Sequence, residues 1–327
     1  MRTLNAFGLA CGMLLGMLAT MPAPALAQEA CTPGPNALGV SRVAEIDTST
    51  GPSFGFQYKE QNILADGEVV LTFDDGPLRA YTKPVLEALA AHCTKATFFL
   101  VGRMAVADPE MVREVARLGH TVGIHTWSHA NLRSITPLKA RMEIELGFSA
   151  VQQALGKPVA PFFRFPYLAD SRSMTTHLQE RRVGIFSIDV DSKDFRTRDP
   201  GSVHRKVMSD LARSKKGIVL FHDIQPATAR ALPGLLADLK AKGYRIVHMQ
   251  PKAEATTMPE FDAIAQVEFD RRRATVVSQP LARRALTWPV AGVPAQPVAA
   301  KEQVRPTARG TQRYPNNNGW IWDPLRW

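Results

Sequence analysis

The sequence predicts an α/β protein, built as an incomplete or distorted (β/α)7-type barrel with a disordered C-terminal tail. Short apolar runs alternate about seven times with amphipathic stretches, which is typical of parallel strands joined by outer helices. The polar motifs follow the ends of the predicted strands, where barrel enzymes hold their sites, and no Gly-rich phosphate loop opens the first helix. The repeats take roughly 180 residues, fewer than the ~250 of an eight-fold barrel, so we expect fewer repeats.

The predicted strands are short apolar runs at 68–73, 96–101, 121–124, 162–165, 184–188, 217–221 and 244–247. The predicted helices lie between them, because apolar residues recur there at spacings of three and four. These helices cover 83–92, 109–118, 137–155, 173–182, 202–214 and 227–242. Together the repeats define a domain at 66–250.

The segments on either side of this domain differ from it in composition. Residues 28–65 are rich in Gly, Pro, Ser and Thr and are interpreted as an ordered extension, not as a domain. Helical and strand signals fade after residue 250, and Pro, Ala, Arg and Gln dominate from residue 279, so 251–327 is predicted to be a largely disordered tail. Residues 320–327 contain three of the five tryptophans, which marks a candidate docking peptide.

The charge of the chain is concentrated in this tail. Lys and Arg number 40 and Asp and Glu number 30, giving a formal net charge of +10. From residue 271 to the end, ten basic residues stand against two acidic ones, so this stretch carries eight of the ten charges. The predicted domain is close to neutral, and its charge therefore gives no reason to expect binding to nucleic acid.

Residues 1–27 are predicted to be a signal peptide. Arg2 precedes an apolar run that is too short to span a bilayer, and Ala25 and Ala27 suit a peptidase that cuts before Gln28. We therefore expect a periplasmic or secreted protein without a transmembrane segment. A lipoprotein box ending at Cys11 is the alternative, although most of the apolar stretch follows that cysteine.

Removal of this leader leaves two cysteines, Cys31 and Cys93. Export would place them in an oxidising compartment, where a disulfide can persist, so we expect them to pair. The alternative is two separate buried thiols. In the chain-entropy model, a disulfide that closes the loop between them would stabilise the folded protein by about 4 kcal/mol.

The first predicted strand ends in two adjacent carboxylates, Asp74 and Asp75, followed by Gly76 and Pro77. Adjacent carboxylates repel each other, and they are tolerated where a cation lies between them or where one is a ligand and the other a base. The alternative interpretation is a turn that simply favours Asp and Gly. The six residues at 72–77 alone do not distinguish a functional carboxylate pair from such a turn.

Two histidines follow the third predicted strand, at positions 125 and 129. Residues four apart present both rings on one face of a helical turn, which is the spacing that a single metal ion requires. His125 and His129 with one Asp would form a triad with open coordination positions, suited to holding a water that acts as a nucleophile.

Three further strand ends carry polar residues. Arg164 follows the fourth strand and could orient a carboxylate; Asp194 lies in an Asp-rich loop after the fifth; and His222 with Asp223 ends the sixth. Each of these motifs alone is weak evidence for a catalytic site, since a single histidine is more often a core residue whose hydrogen bonds are all made. Together the motifs supply a metal site, a base, an orienting Arg and an Asp–His couple, which is a complete hydrolytic constellation.

These motifs, in their order and spacing, make residues 68–249 resemble the polysaccharide deacetylase family, the NodB-homology domain of carbohydrate esterase family 4. The resemblance implies that Asp75, His125 and His129 bind a divalent metal, usually zinc, for which cobalt or a similar ion can substitute. It also implies that Asp74 is the general base for the attacking water. Arg164 would orient that base.

The resemblance further assigns the leaving-group side of the reaction and the acetyl pocket. His222 would protonate the leaving amine, tuned by Asp194. The backbone N–H of Tyr167 would stabilise the oxyanion, and Leu220 and Phe195 would enclose the acetyl methyl group. The family often has Trp where this chain has Phe195, which affects the pocket wall and not the proton chemistry.

The sequence thus predicts a metal-dependent hydrolase that removes N-acetyl groups from an exported or cell-wall glycan such as a chitin-like, peptidoglycan or poly-N-acetylglucosamine chain. No nucleophilic serine elbow or reactive cysteine favours a covalent mechanism. An O-acetyl polysaccharide esterase is one alternative, because the same chemistry cleaves esters. A catalytically silent glycan-binding protein is another, although no ligand or base is missing.

Overall fold

The computed structural model describes residue 31 and the stretches 34–58 and 63–278. The predicted leader at 1–27 and the Trp-rich residues 320–327, with the rest of the chain after 278, lie outside the described residues. The described residues belong to one compact unit. No helix in the described stretches is long and apolar enough to cross a membrane.

The described chain forms one sheet of parallel strands. The strands are β1 (Arg42–Ile46), β2 (Ser53–Phe54), β3 (Glu68–Asp74), β4 (Thr97–Leu100), β5 (Thr121–Ile124), β6 (Phe162–Phe163), β7 (Gly184–Phe186), β8 (Val190–Asp191), β9 (Gly217–His222) and β10 (Arg245–Pro251). Pairing runs from β3 through β4, β5 and β6 to β7. The chain bends into β8, which pairs with β9, and β9 pairs back with β3. Among the described residues no pairing joins β7 to β8, so the ring of strands stays open there, and the predicted incomplete barrel is confirmed.

Helices connect these strands. They are α1 (Arg79–Ala91), α2 (Gly102–Ala107), α3 (Pro109–Arg117), α4 (Pro137–Leu155), α5 (Arg172–Glu180), α6 (Pro200–Ser214), α7 (Pro226–Ala241) and α8 (Pro259–Ser278). Three of them begin with a proline preceded by a capping side chain, which accepts a backbone N–H of the first turn. The caps are Asp108, Thr136 and Asp199.

The two faces of β3 show how the barrel places its site. Leu71 and Phe73 belong to the large apolar cluster shared with the helices. Val70 belongs to a second cluster, formed mainly by strand residues that include Phe99, Phe162, Phe186 and Ile218. Side chains alternate along a strand, so Asp74 shares the inward face with Val70. Asp74 therefore lies inside the barrel, at the carboxyl end of its strand.

The N-terminal extension is continuous with the barrel sheet. β1 pairs with β10, and β2 pairs with β7. The described part of the extension predicted at 28–65 therefore adds two strands to the barrel sheet. These strands escape sequence detection because β2 has only two residues and β1 buries only Ala44 and Ile46.

Residues 251–327 are predicted to be a largely disordered tail, but the first part of this stretch contains a helix. Pro259–Ser278 forms α8, which packs against α4 and α2. Ala265 is fully buried there, and Phe261 and Phe269 pack against the same cluster. The helix has few large apolar residues and no clear apolar face, which is why its sequence resembles a solvated tail.

Cys31 and Cys93 are joined by the expected disulfide, with their Cα atoms 5.6 Å apart. Cys93 follows the end of α1, so the bridge fastens the start of the extension to the helical layer. The bridge closes a loop of 62 positions.

Candidate active site

The turn after β3 directs two neighbouring carboxylates into different positions. Asp74 ends the strand, whereas Asp75 has a left-handed backbone with φ of 76° and leaves the strand alternation. A side chain at Gly76 would collide with the carboxylate of Asp223, so the turn requires glycine. Asp74 and Asp75 are only 2% and 8% exposed. Burial of two carboxylates is costly without a cation, and this argues against a plain Asp-Gly turn.

The two histidines converge, but not on a helical turn as their spacing suggested. His125 directly follows β5, and residues 126–128 form a turn. Thr126 and His129 have positive φ angles of 67° and 59°, which a helix does not allow. The ring centroids of His125 and His129 nevertheless lie 5.0 Å apart.

Asp75, His125 and His129 form a group that could hold a metal ion. Asp75 Oδ1 lies 3.5 Å from His125 Nε2 and 3.2 Å from His129 Nε2, and the three ligand atoms are all within 4.8 Å of one another. Ligand atoms around a tetrahedral zinc are roughly 3.4 Å apart. Asp75 Oδ1 is buried and has no hydrogen-bond partner among the described residues. A divalent cation therefore fits this group.

Outer contacts fix the orientation of the histidine rings. His125 Nδ1 lies 2.7 Å from the carbonyl oxygen of Arg164, which can only accept, so this nitrogen carries the proton and Nε2 is left as the ligand atom. His129 Nδ1 lies 3.2 Å from the Tyr167 hydroxyl. These contacts aim both Nε2 atoms towards Asp75.

Glu143 on α4 supports the same loop, a role that the sequence did not reveal. Its carboxylate accepts hydrogen bonds from the backbone N–H and the hydroxyl of Ser128, at 2.8 and 2.7 Å. Its backbone carbonyl accepts from the N–H of Trp127. A glutamate within a helix is usually a solvated surface residue, so only the fold identifies this contact.

Arg164 is fully buried and is held on all sides. Its Nη1 donates to Asp74 Oδ1 at 2.7 Å and to the Thr72 hydroxyl at 2.8 Å. Its Nε and Nη2 donate to the carbonyls of Phe186 and Ser187, at 3.2 and 3.1 Å. The guanidinium bonds to Asp74 Oδ1, and Asp74 Oδ2 lies 3.8 Å from His125 Nε2.

The surroundings shift the pKa values of the two carboxylates in opposite directions. Burial raises the pKa of Asp74 to about 6, although Arg164 and His222 oppose that shift. Burial would also raise the pKa of Asp75, but the charges of His129, His222 and His125 outweigh it and lower that pKa. Asp75 is thus the better anion, and Asp74 is the better proton acceptor near neutral pH.

His222 ends β9 and is paired with a buried carboxylate. Asp194 Oδ1 lies 2.7 Å from His222 Nδ1, and Asp194 Oδ2 accepts from the backbone N–H of His222 at 2.7 Å and from the Thr228 hydroxyl. Burial alone would lower the pKa of His222, but Asp194, helped by Asp75 and Asp74, raises it to about 10. The ring is therefore protonated at neutral pH.

Asp223 follows His222 in the chain, but its carboxylate lies away from the histidine ring. Asp223 Oδ2 accepts from the Thr82 hydroxyl at 2.6 Å, beneath the Gly76 turn. Burial, with Asp75 and Asp74 nearby, raises the pKa of Asp223 to about 7. The Asp223 carboxylate therefore supports the turn after β3 and does not pair with the His222 ring.

The residues expected to bind the acetyl group border the same region. Tyr167 follows β6 in a tight turn with φ of 60° and is 49% exposed. Leu220 is buried and shares the inward face of β9 with His222. The Phe195 ring meets the His222 ring edge to face, with centroids 5.6 Å apart. All ten predicted site residues therefore lie at or next to the carboxyl ends of the barrel strands or in the loops that follow them.

Comparisons with known proteins agree with this geometry. A sequence model described as polysaccharide deacetylase matches residues 62–184. A peptidoglycan-N-acetylglucosamine deacetylase of Listeria monocytogenes is 34% identical over 182 residues, which cover 55% of this chain and 37% of that protein. The chain thus spans little more than a third of the length of this relative.

Two other relatives match a larger share of their own length. The chitooligosaccharide deacetylase of a Bradyrhizobium species is 30% identical over 210 residues, covering 60% of this chain and 94% of that enzyme. The structure of a Bdellovibrio bacteriovorus peptidoglycan deacetylase superposes with a TM-score of 0.60 and 33% identity, over 66% of this chain and 60% of the other. The barrel, its motifs and these matches together establish that this chain belongs to the polysaccharide deacetylase family.

Proposed function

We propose that this protein is a metal-dependent hydrolase that removes N-acetyl groups from a GlcNAc-containing polysaccharide of the cell wall or of an exported glycan. The observation that carries this proposal is the buried, unpartnered Asp75 Oδ1 facing two histidine Nε2 atoms beside the Asp74–Arg164 pair. A buried anion with two aimed nitrogen ligands is a metal site, and a second carboxylate beside it is placed to act as a base.

Asp75, His125 and His129 would hold the metal, which we propose to be zinc, with cobalt or a similar ion able to replace it. When bound, such an ion supplies a Lewis acid for the acetyl carbonyl and makes the attacking water more acidic. The hydrogen bond from His125 Nδ1 to the Arg164 carbonyl keeps its Nε2 available for this purpose.

Asp74 accepts the proton of the attacking water. Arg164 occupies its Oδ1, so the proton goes to Oδ2, on the side of the metal ligands. Because burial raises its pKa to about 6, Asp74 is ionised at neutral pH yet basic enough to take a proton during the reaction.

His222 protonates the amine that leaves. Asp194 holds Nδ1, so Nε2–H is the proton that the ring can deliver. A pKa raised to about 10 keeps the ring charged at neutral pH, and proton transfer to the departing nitrogen lets the C–N bond break. Asp194 is in turn fixed by Thr228, which keeps the ring orientation constant.

The remaining groups stabilise and enclose the acetyl group. The backbone N–H of Tyr167 donates to the developing oxyanion, a contribution that matters most in the transition state. Leu220 and the Phe195 ring enclose the methyl group. Phe195 is smaller than the tryptophan frequent in the family, so this pocket wall leaves more space.

The names of the relatives support a GlcNAc polymer as the substrate. The Listeria and Bdellovibrio proteins are named for peptidoglycan and the Bradyrhizobium enzyme for chitooligosaccharides. Both glycans contain N-acetylated glucosamine. The Cys31–Cys93 disulfide supports an oxidising, periplasmic or extracellular location, where such polymers occur.

An O-acetyl polysaccharide esterase would use the same side chains, because an ester is a better electrophile than an amide. A silent glycan-binding protein would be expected to lack a metal ligand or the base, whereas Asp74, Asp75, His125 and His129 are present and converge. Nucleic acid is not an expected partner, and docking through the Trp-rich end stays a prediction.

The proposal is tested by incubating the purified protein with zinc and three substrates: N-acetylchitooligosaccharide, peptidoglycan and O-acetylated xylan. We expect acetate and free amine in equal amounts from at least one N-acetylated glycan. Acetate from xylan alone would make the protein an esterase. Acetate from none of them, with zinc bound, would support the silent glycan-binding protein.

A further inference from the structure

The segment from β2 to residue 58 contacts Phe186 and Ser187, the two residues whose carbonyls accept from Arg164. β2 pairs with β7, Phe54 stacks on Phe186 with ring centroids 4.8 Å apart, and the Phe54 carbonyl accepts from the N–H of Ser187. Gly55 has φ of 98°, and a Cβ there would lie 2.8 Å from the backbone nitrogen of Ile188. Only glycine permits this close approach.

The close approach places Gln57 between two parts of the site. Its Oε1 accepts a hydrogen bond from the Ser187 hydroxyl, and its Nε2 donates to the Leu168 carbonyl at 3.2 Å. The Ser187 carbonyl accepts from Arg164, which holds Asp74. The Gln57 side chain thus connects Ser187, which holds Arg164, to the turn that carries Tyr167.

Tyr58 makes a second contact to the same turn. Its hydroxyl donates to Asp170 Oδ2, and its backbone N–H closes a turn onto the Gly55 carbonyl. Tyr167 and Leu168 have φ angles of 60° and 52°, a left-handed conformation that is uncommon for residues with a side chain. Two consecutive residues in this conformation need contacts from outside the turn to hold them.

We infer that Gln57 and Tyr58 are positioning residues of the active site, which hold the Tyr167 turn in register with the Arg164–Asp74 pair. This inference rests on the proposed function, because the turn matters only if the Tyr167 N–H meets a reacting carbonyl. Gln57 and Tyr58 contact the supports of the reacting groups and act through them. The segment lies outside the stretch matched by the family model, residues 62–184.

The test compares Tyr58→Phe and Gln57→Ala with the parent protein and with Tyr244→Phe. The control removes a tyrosine hydroxyl next to β10, at the opposite end of the strands. Deacetylation of N-acetylchitooligosaccharide gives kcat and KM, and hydrogen exchange gives the protection of the amides of residues 167–170. Bound zinc and the melting temperature show whether each variant is folded and loaded.

We expect kcat to fall roughly 10-fold in both variants with KM within about twofold, because a misplaced oxyanion donor weakens transition-state binding more than substrate binding. Exchange at 167–170 should become faster, while zinc content and the amides of 125–129 stay unchanged. Parent-like kcat and exchange, or a lowered melting temperature with parent-like kcat, would overturn the inference. If the parent itself deacetylates no glycan, the proposed function fails, and the exchange measurement still decides whether Gln57 and Tyr58 hold the turn.

Discussion

Asp74 and Asp75 are neighbours in the chain, and replacing each by asparagine should have different consequences. In Asp74→Asn the amide oxygen can still accept from Arg164, 2.7 Å away in the parent, so the fold of the site is kept. The amide nitrogen then replaces Oδ2 and cannot take a proton. General acid–base catalysis contributes about 10²–10⁴-fold, so kcat should fall by that factor, or about 3–5 kcal/mol of transition-state stabilisation, with zinc still bound.

Asp75→Asn removes the one anionic group of the proposed metal site. Its Oδ1 faces two histidine nitrogens at 3.5 and 3.2 Å, and a neutral amide is a weaker ligand. Changes in residues that only support metal ligands cost 10–100-fold in affinity, so loss of a ligand should weaken zinc binding by about 100-fold or more. Excess zinc should then restore part of the activity of Asp75→Asn and none of that of Asp74→Asn.

The assay combines zinc content after dialysis with acetate release measured over a range of added zinc. Asp66→Asn serves as the control, since this exposed residue precedes β3 at the other end of the strand. If Asp74→Asn lost its zinc while Asp75→Asn kept it, the two roles would be exchanged. If both variants kept zinc and activity, the barrel would not use this chemistry.

Three further predictions concern the support of the site and the stability of the fold. Arg164→Met should lower kcat and move the acid limb of the kcat/KM profile to higher pH, because the guanidinium lowers the pKa of Asp74. An unshifted limb would show that Asp74 does not determine this part of the pH profile. Cys31→Ser should lower the free energy of unfolding by about 4 kcal/mol, checked by urea denaturation against the oxidised parent, and an unchanged midpoint would contradict the loop-entropy argument. Burial lowers the pKa of His120 to about 3 and of His248 to about 4. As the pH falls, these histidines are therefore protonated at a higher pH in the unfolded chain than in the folded protein. The contribution of these two histidines to stability should therefore be complete above pH 6.5 and fall at lower pH by up to about 1.4 kcal/mol per unit for each histidine, a slope that His248→Gln should reduce.

The residues of the candidate site could be predicted because each follows a strand, and parallel strands bring their carboxyl ends together. Asp74, His125, Arg164 and His222 are far apart in the chain, yet the alternation of strands and helices is sufficient to place them at one end of a barrel. What the sequence could not give is the local backbone. The histidine pair reaches its geometry through positive φ angles at Thr126 and His129, which no spacing rule contains.

The hydrogen bonds that support the site loops could not be predicted from the sequence either, because they join distant segments that have no common sequence pattern. Glu143 comes from a helix and binds Ser128 through two hydrogen bonds. Gln57 comes from an extension rich in Gly, Pro, Ser and Thr, and it bonds once to Leu168 and once to Ser187. Two histidines outside the site also have partners that the sequence does not indicate. His177 and His204 show no acidic partner in the sequence, but they lie 2.6 and 3.0 Å from Glu145 and Asp238, which belong to other helices.

The central claim is that Asp75, His125 and His129 hold one metal ion on which deacetylation depends. The most direct test strips the parent and His125→Ala with a chelator, titrates zinc back, and measures bound zinc and acetate release from N-acetylchitooligosaccharide in the same samples. We predict that the parent regains activity in proportion to zinc and saturates at one ion per chain, whereas His125→Ala binds zinc weakly and stays inactive. Full activity in the metal-free parent, or stoichiometric zinc in His125→Ala, would contradict the claim.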